Sequence, residues 1–464
     1  MEAGQTNTDV PTCPGCVTAA KRIADLEARI ANLEKKLEAS LRAGKRQAAP
    51  FSRGLPKLDP KPPGRKSGDD YGTQAFRAVP GTIKEIHDAP LPARCPRCGG
   101  RQFIDVRIDH QYQVEIPRRP IHRQFNVAVA RCTCCGKRVQ GRHPLQTSDA
   151  LGCCASQVGP EAQAAAVMLN KELGLSHGKI NRFFKGFFDI KLTRGASCRI
   201  MLRAADRCKG NYQAIVKQVQ QSRWIVPDET GWRIGGWGAW LHVAVAQNAV
   251  AYLVARQRGV EASALLIGED YAGTLIHDGY ASYDRFWRAA HQTCLGHLIR
   301  RCRDLLETAT RGAAVFPRKV KALLSEALET RDLRDARAIT ITAARARAEE
   351  LQERMTQLVT PTKSNVANER LAAHLCRHTN QWFTFLRHKG IDATNHRAEQ
   401  AIRPAVVNRK VWGGNRTQAG AAAQSILMSV LFTAAKNGRD AMEFVSRVLS
   451  ALPNHRPLLL NGSG

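Results

Sequence analysis

Between Trp224 and Asp278 the chain reads strand, strand, strand, helix, strand, and the first and last of those strands each run out into an aspartate. WIVPDETGW is apolar as far as Pro227 and then turns acidic, with Asp228 and Glu229 side by side. WLHVAVA at 240–246 and AYLVA at 251–255 follow as two further strands, and a helix is expected near 260–267. TLIHD at 274–278 is a short apolar strand that stops on Asp278. Glu229 alternates to the face of the strand opposite Asp228, so it is expected to cap or to pair structurally. Asp270 and Asp284 read as a loop acid and a helix-start acid.

This order of elements is that of a ribonuclease-H-like fold, in which the first and fourth strands are neighbours, so Asp228 and Asp278 are expected to meet at one edge of the sheet. Two carboxylates alone bind Mg²⁺ weakly. A third is expected from a later helix, delivered once a long helical stretch at 298–390 folds away as an insertion. Glu399, in NHRAEQAIRP at 395–404, fits that role. Thr394 or Asn395 is expected to cap its helix, and Pro404 to kink or end it. Three such carboxylates can hold two Mg²⁺ or Mn²⁺ ions roughly 3.5–4 Å apart for an in-line displacement at phosphorus.

The charge points the same way. Seventy Lys and Arg against forty Asp and Glu give a net charge of +30 and a pI near 10.1. Solubility needs far less charge than that, so a polyanionic partner is expected, with nucleic acid the leading candidate. Arg397, Arg403, Arg409, Lys410 and Arg416 cluster around Glu399 in sequence and are expected to surround DNA. No run of eighteen apolar residues appears, and the N-terminus lacks the charged-then-apolar order of a signal peptide. A soluble intracellular protein without a membrane partner is therefore expected, its fourteen cysteines reduced and its Cys-x-x-Cys pairs available for metal.

CPRCGG at 95–100 and CTCCGK at 132–137 bring Cys95, Cys98, Cys132 and Cys135 into the spacing of a zinc ribbon over 91–145. Cys134 competes for the last ligand position. YQVEIPRRP and QFNVAVARC between the two pairs read as strands. Four thiolates leave no open coordination position, so the zinc is expected to be structural. Cys13 and Cys16 form one more pair, which a dimer would double into a four-ligand clip.

Further along the chain, Ile23, Leu26, Ile30, Leu33 and Leu37 form a heptad seam, expected as a coiled coil over 17–42 that makes the chain a homodimer or higher oligomer. A basic flexible linker over 43–90 follows. Residues 158–210 turn helical, with Ser176 as one cap and Thr193 or Ser197 as the next. Short glycine-containing turns there resemble a helix-turn-helix unit, which would place Lys179 and Arg182 on phosphates or base edges. Cys294 and His297 form a Cys-x2-His pair, expected to support the acidic site from the core. Trp382, Phe383 and Phe385 are expected to pack between helices. The whole reads as an α+β multidomain chain: a catalytic core over 220–300 and 391–417, a helical insertion over 301–390, and C-terminal helices over 418–453.

DETGW, DGYASY, CLGHLIRR at 294–301, NHRAEQAIRP, NRK at 408–410 and AKNGRDAMEFV at 435–445 resemble the insertion-sequence-66 family of bacterial transposases, over nearly the whole chain. The resemblance implies that Asp228, Asp278 and Glu399 are a catalytic triad of the Asp-Asp-Glu class. It also implies an enzyme that binds the ends of its mobile element, cleaves them and joins their 3′-hydroxyls to target DNA. Accessory proteins encoded alongside and a bacterial cytoplasmic, nucleoid-associated location go with it. Ala393, Thr394, Asn395 and His396 depart from the family's usual acidic and amide residues, and VWGGN at 411–415 from its usual phenylalanine-containing loop. A structure-specific nuclease of the same fold and a catalytically inactive DNA-binding regulator are the alternatives.

Overall fold

The computed structural model describes residues 22–30, 33, 79–105, 107–113, 119–146, 151, 157–309 and 311–451. Its contacts divide the chain into two units, Met1–Glu115 and Ile116–Gly464. In the first, residues 22–30 form a helix (α1) whose Ile23, Leu26 and Ile30, with Leu33 beyond it, are all exposed. Leu37, Cys13 and Cys16 lie outside the described residues. The remainder of this unit is without strand or helix among the described residues, and contains the turn Cys95–Gly100.

The second unit opens with a small antiparallel hairpin, β1 (Val129–Arg131) and β2 (Arg138–Gln140), around the second Cys-x-x-Cys. Of the two strands expected near the cysteines, only this part of QFNVAVARC forms; the described residues of YQVEIPRRP are not in a strand. Four helices follow: α2 (Pro160–Lys171), α3 (His177–Phe188), α4 (Arg194–Arg207) and α5 (Lys209–Gln220). Ser176 caps α3 through Lys179 N–H at 3.4 Å and Thr193 caps α4 through Ala196 N–H at 3.0 Å, so these helices start where capping chemistry places them.

The central sheet is mixed. Its strands are β3 (Trp224–Ile234), β4 (Trp237–Val245), β5 (Val250–Ala255), β6 (Thr274–His277) and β7 (Ala290–Thr293), in the order β5-β4-β3-β6-β7. β3, β4 and β5 are antiparallel neighbours, whereas β6 runs parallel to both β3 and β7. The parallel step from β3 to β6 needs a crossover, and α6 (Val260–Ile267) lies in it. After β7 come α7 (Leu295–Thr308), α8 (Val315–Asp335), α9 (Ile341–Val359), α10 (Val366–Arg377) and the short α11 (Thr384–Arg387). The chain ends with α12 (His396–Trp412), α13 (Gln418–Lys436) and α14 (Ala441–Ser450). It is thus an α+β protein with a central mixed sheet.

Alternation along the strands gives the sheet two cores. Trp224, Val226 and Trp232 pack with α7, α8 and α12, while Ile225, Ala244 and Ala251 pack with α2, α4, α5, α6, α13 and α14. The helical region before the sheet therefore shares a core with the C-terminal helices. Trp382, Phe383 and Phe385 are fully buried in the first core, as packing residues.

Both edges of the sheet are covered. On β5 the outward N–H groups of Val250, Tyr252 and Val254 donate to Thr433, Ser429 and Ser425 hydroxyls of α13 at 2.8–3.0 Å. Four residues of helix rise about 6 Å and two of strand about 6.7 Å, so a hydroxyl every fourth helical position keeps pace with alternate strand amides. α13 is long and apolar enough to span a membrane, yet 67% of its apolar window is buried within the protein, where these hydroxyls serve as the missing neighbour strand. At the other edge, Gln292 of β7 bonds Trp382 O and Phe385 N–H, and Thr384 Oγ1 donates to His291 O. Ser429→Ala leaves the buried Tyr252 amide without a partner and is expected to lower stability by about 1–3 kcal/mol. Urea unfolding checks this; a loss under about 0.5 kcal/mol, typical of surface changes, would show that the helix does not support the edge.

Candidate active site

β3 and β6 pair over two positions only, and beyond them β6 ends while β3 runs on beside β4, the kind of place where open sheets form crevices. The two pair at Trp224 with Thr274 and at Ile225 with Leu275. Continuing that register sets Asp228 level with Asp278, the first on β3 and the second just past the end of β6. Ligands of open sheets bind in such crevices, outside the carboxyl ends of parallel strands. Asp278 is fixed by an Asx-type turn in which its Oδ1 accepts Tyr280 N–H at 2.9 Å. Gly279 between them has φ +89°, and a Cβ there would lie 3.1 Å from His374 Cε1, so this turn has room only for glycine. Asp228 Oδ1 accepts Glu229 N–H at 2.8 Å.

Glu399 arrives from far along the chain. The segment before α12 is tied to the start of α7, with Leu295 N–H on Ala393 O at 2.9 Å and Asn395 N–H on Cys294 Sγ at 3.4 Å. Ala398, Ile402 and Ala405 then bury α12 in the same core as Trp224 and Val226, the face of the sheet to which Asp228 belongs. Asn395 occupies the cap position, but with φ −86° and ψ 19° its side chain is buried and does not cap. Its carbonyl accepts Ala398 and Glu399 N–H instead. The expected side-chain cap is thus absent, and Asn395 Oδ1 is buried without a partner among the described residues. The expected break at Pro404 is absent too: α12 runs through it to Trp412. Ile402 and Ala405 on either side are buried against the sheet, and that packing holds a helix that lacks one hydrogen-bonded rung.

The electrostatics show that the acids share one environment. The Asp228 carboxyl is pushed up to about 7, first by burial and then by the charges of Glu229, Asp278 and Glu399, against the lowering effect of the Glu229 amide. A carboxylate disfavoured by burial and by like charges is one that a cation would relieve. Within the Ile116–Gly464 unit, and among the described residues, no three His, Cys, Asp or Glu side chains stand close enough to hold a metal ion as they are. Asp228 feels the charges of the other two, while Asp228 Oδ1 and Asp278 Oδ1 are turned to local amides and Glu399 Oε1 to His297.

Neighbouring groups sort the remaining acids. Glu229 lies on the opposite face, its side chain 4% exposed, and is gripped by Arg258 at 2.8 and 3.0 Å and by Tyr283 Oη at 2.7 Å. Arg258 stacks in turn on Trp240 and Tyr280. Glu229 is therefore neutralised structurally, and neither Arg258 nor Tyr283 was singled out from the sequence. His297 Nε2 stands 3.5 Å from Glu399 Oε1, while its Nδ1 is buried without a partner among the described residues. Cys294 is buried beside it and its thiol is pushed up, chiefly by burial, so the pair supports the site from the core side.

The basic residues divide into two groups. Arg397 is paired with Asp392 and lies over the Trp224 ring, and Arg409 bonds Thr230 Oγ1 at 3.2 Å and Gly231 O. Arg403, Lys410 and Arg416 are exposed, as are Lys179 and Arg182 on α3.

The two Cys-x-x-Cys turns have the same local build. Cys95 N–H bonds Gly100 O and Gly99 N–H bonds Cys95 O; Cys132 N–H bonds Lys137 O and Gly136 N–H bonds Cys132 O, all at 2.8–2.9 Å. Gly99 and Gly136 have φ +73° and +69°. Backbone amides at Cys98 and Arg97 hold the Cys95 thiol below its usual range, and those at Cys135 and Cys134 do the same for Cys132. Amides aimed at sulfur stabilise thiolate, the form that binds metal.

A family model described as Transposase IS66 family matches residues 155–423, the span from just before α2 into α13. Comparison with curated proteins gives no match.

Proposed function

Because the chain belongs to the IS66 family of transposases, we propose that it binds the ends of its mobile element, cleaves them and joins the exposed 3′-hydroxyls to target DNA at a site built from Asp228, Asp278 and Glu399. The observation that supports this reading is the Asp228 carboxyl, raised chiefly by burial and further by the charges of Glu229, Asp278 and Glu399. The strand order β5-β4-β3-β6-β7, with the first and fourth strands of the sheet adjacent and parallel, supports a ribonuclease-H-like core.

Magnesium or manganese held by the three carboxylates would supply activation of the attacking oxygen and neutralisation of the leaving oxygen. The chain's own residues do the rest. Asp228, midway along β3, and Asp278, just past the end of β6, are oriented by the Glu229 and Tyr280 amides. Glu399 is brought up by α12 with His297 against it. Arg403, Lys410 and Arg416 offer charge to the DNA backbone. Attack by water and then by the 3′-hydroxyl needs no covalent enzyme intermediate. The two cysteine turns support a structural zinc site of Cys95, Cys98, Cys132 and Cys135, and the exposed apolar seam of α1 supports self-association into a dimer. A cytoplasmic, nucleoid-associated location goes with this reading.

The test incubates the full chain with Mg²⁺ or Mn²⁺, a labelled oligonucleotide carrying the element's end, and a supercoiled plasmid. Joined product supports the transposase; cleavage without joining favours a nuclease, and binding without cleavage an inactive regulator. For zinc, one equivalent per chain by elemental analysis is expected, lost in Cys95→Ser and in Cys132→Ser. Two equivalents per chain would instead point to a further site, and none would remove the ribbon.

A further inference from the structure

The hairpin between β3 and β4 presents a tryptophan that nothing in the acidic site uses. Trp237 is 74% exposed and pairs directly with Ile234 across the hairpin, so both side chains leave the same face of the sheet. Alternation along β3 places Asp228 on that face as well. The presentation is rigid. Gly235 and Gly236 make the turn with φ +60° and +86°. Gly235 N–H bonds Asn415 O, Asn415 N–H bonds Arg233 O, and Trp232 Nε1 bonds Asn415 Oδ1, all at 2.8–2.9 Å. The loop after α12 thereby staples the hairpin in place.

α12 joins this hairpin to the acidic site. Glu399, Arg403, Val407 and Lys410 are exposed at spacings of four, four and three, which is one face of the helix. Arg416 continues the line, its carbonyl 3.3 Å from where a Cβ on Gly235 would lie. Among the described residues, Arg403, Lys410 and Arg416 have no carboxylate partner. From Asp228 to Ile234 is roughly 20 Å along the strand, and from Glu399 to Trp412 roughly 20 Å along the helix. Two independent paths thus put the tryptophan at one distance from the carboxylates, with free cations between.

We propose that Trp237 is a stacking platform for a base of the DNA strand that leaves the acidic site, about six nucleotides from the phosphate held there at 3.4 Å per step, with Arg403, Lys410 and Arg416 on the intervening phosphates. The proposal rests on the reading of the acidic site as a DNA-processing centre and adds the path of the strand. An indole on a fixed hairpin meets the π-face of any base, so the contact tolerates sequence. Trp287, also exposed, has Arg288 over its ring at 5.1 Å and lies outside this line, which makes it the internal control.

Binding of a single-stranded oligonucleotide of arbitrary sequence to the full chain, followed by anisotropy and by tryptophan emission, tests this. Trp237→Ala is expected to weaken binding about tenfold, within the range of one base–aromatic stack, and to lose the quenching that DNA causes in the wild type. Trp237→Phe keeps most of the affinity and Trp287→Ala keeps all of it. The slope of log affinity against log salt stays the same in Trp237→Ala, because a stack releases no counterions. If Trp237→Ala binds and quenches like the wild type while the wild type joins strands, this inference alone falls. If the wild type binds no DNA, the reading of the acidic site falls with it. A loss of duplex binding in Trp237→Ala with no effect on single strands overturns the stacking contact.

Discussion

Asp278→Asn is expected to reduce strand joining by at least about a thousandfold while DNA binding and folding persist. Asparagine keeps the carbonyl oxygen that accepts Tyr280 N–H, so the turn leading into the short 3-10 helix Ala281–Arg285 survives. What it removes is one of the negative charges that, on top of burial and together with Glu399, raise the Asp228 carboxyl. A thousandfold corresponds to about 4 kcal/mol of lost transition-state stabilisation, within reach of one ligand to a catalytic cation. Glu399→Gln is expected to behave alike, whereas Glu229→Gln weakens its grip on Arg258 on the far face and is expected to act on stability first. Single-turnover joining with each purified variant, beside a binding isotherm, decides the matter. Joining by Asp278→Asn within tenfold of the wild type would remove Asp278 from the site.

The strands that carry Asp228 and lead into Asp278 were legible in the sequence because each aspartate follows an apolar run, and β3 and β6 lie where those runs are. β7 was not legible. Its AHQT is polar, and Gln292 and Thr293 are buried only because Gln381, Trp382 and Phe385 satisfy them from the insertion. The same holds for α12. Its cap and its proline carry local signals, yet the Asn395 side chain does not cap, and burial of Ile402 and Ala405 against the sheet carries the helix through Pro404. Composition placed cations around Glu399, but only the fold separates exposed Arg403 from Arg409, which is bound to Thr230. The hydroxyl ladder of α13 is spelled out at every fourth residue, Ser425, Ser429 and Thr433, yet its meaning depends on β5 lying alongside.

A buried lysine sets the second large effect. Lys171, at the end of α2, is 3% exposed, and its Nζ bonds Gln424 Oε1 of α13 at 2.7 Å, with the Trp412 ring 5.8 Å away. Burial brings its ammonium down from 10.5 to about 7. The unfolded chain keeps the ordinary value, so between about pH 7 and 10.5 it binds the proton that the folded chain releases, and stability rises with pH across that window. Below the window both states are charged, and the folded state carries the whole penalty, on the order of 3–5 kcal/mol. Lys171→Met removes the charge but leaves Gln424 Oε1 unpaired, which costs about 1–3 kcal/mol. The net expectation is a variant more stable than the wild type by about 1–3 kcal/mol near pH 6.5, on the same principles. The advantage shrinks toward pH 10 and there reverses, because only the Gln424 loss remains. Urea unfolding of both proteins at the two pH values measures it. A variant less stable than the wild type at pH 6.5 would mean that Gln424 and Trp412 hold the charged ammonium well enough to outweigh its burial. The contact joining α2, α12 and α13 would then be a favourable one at every pH.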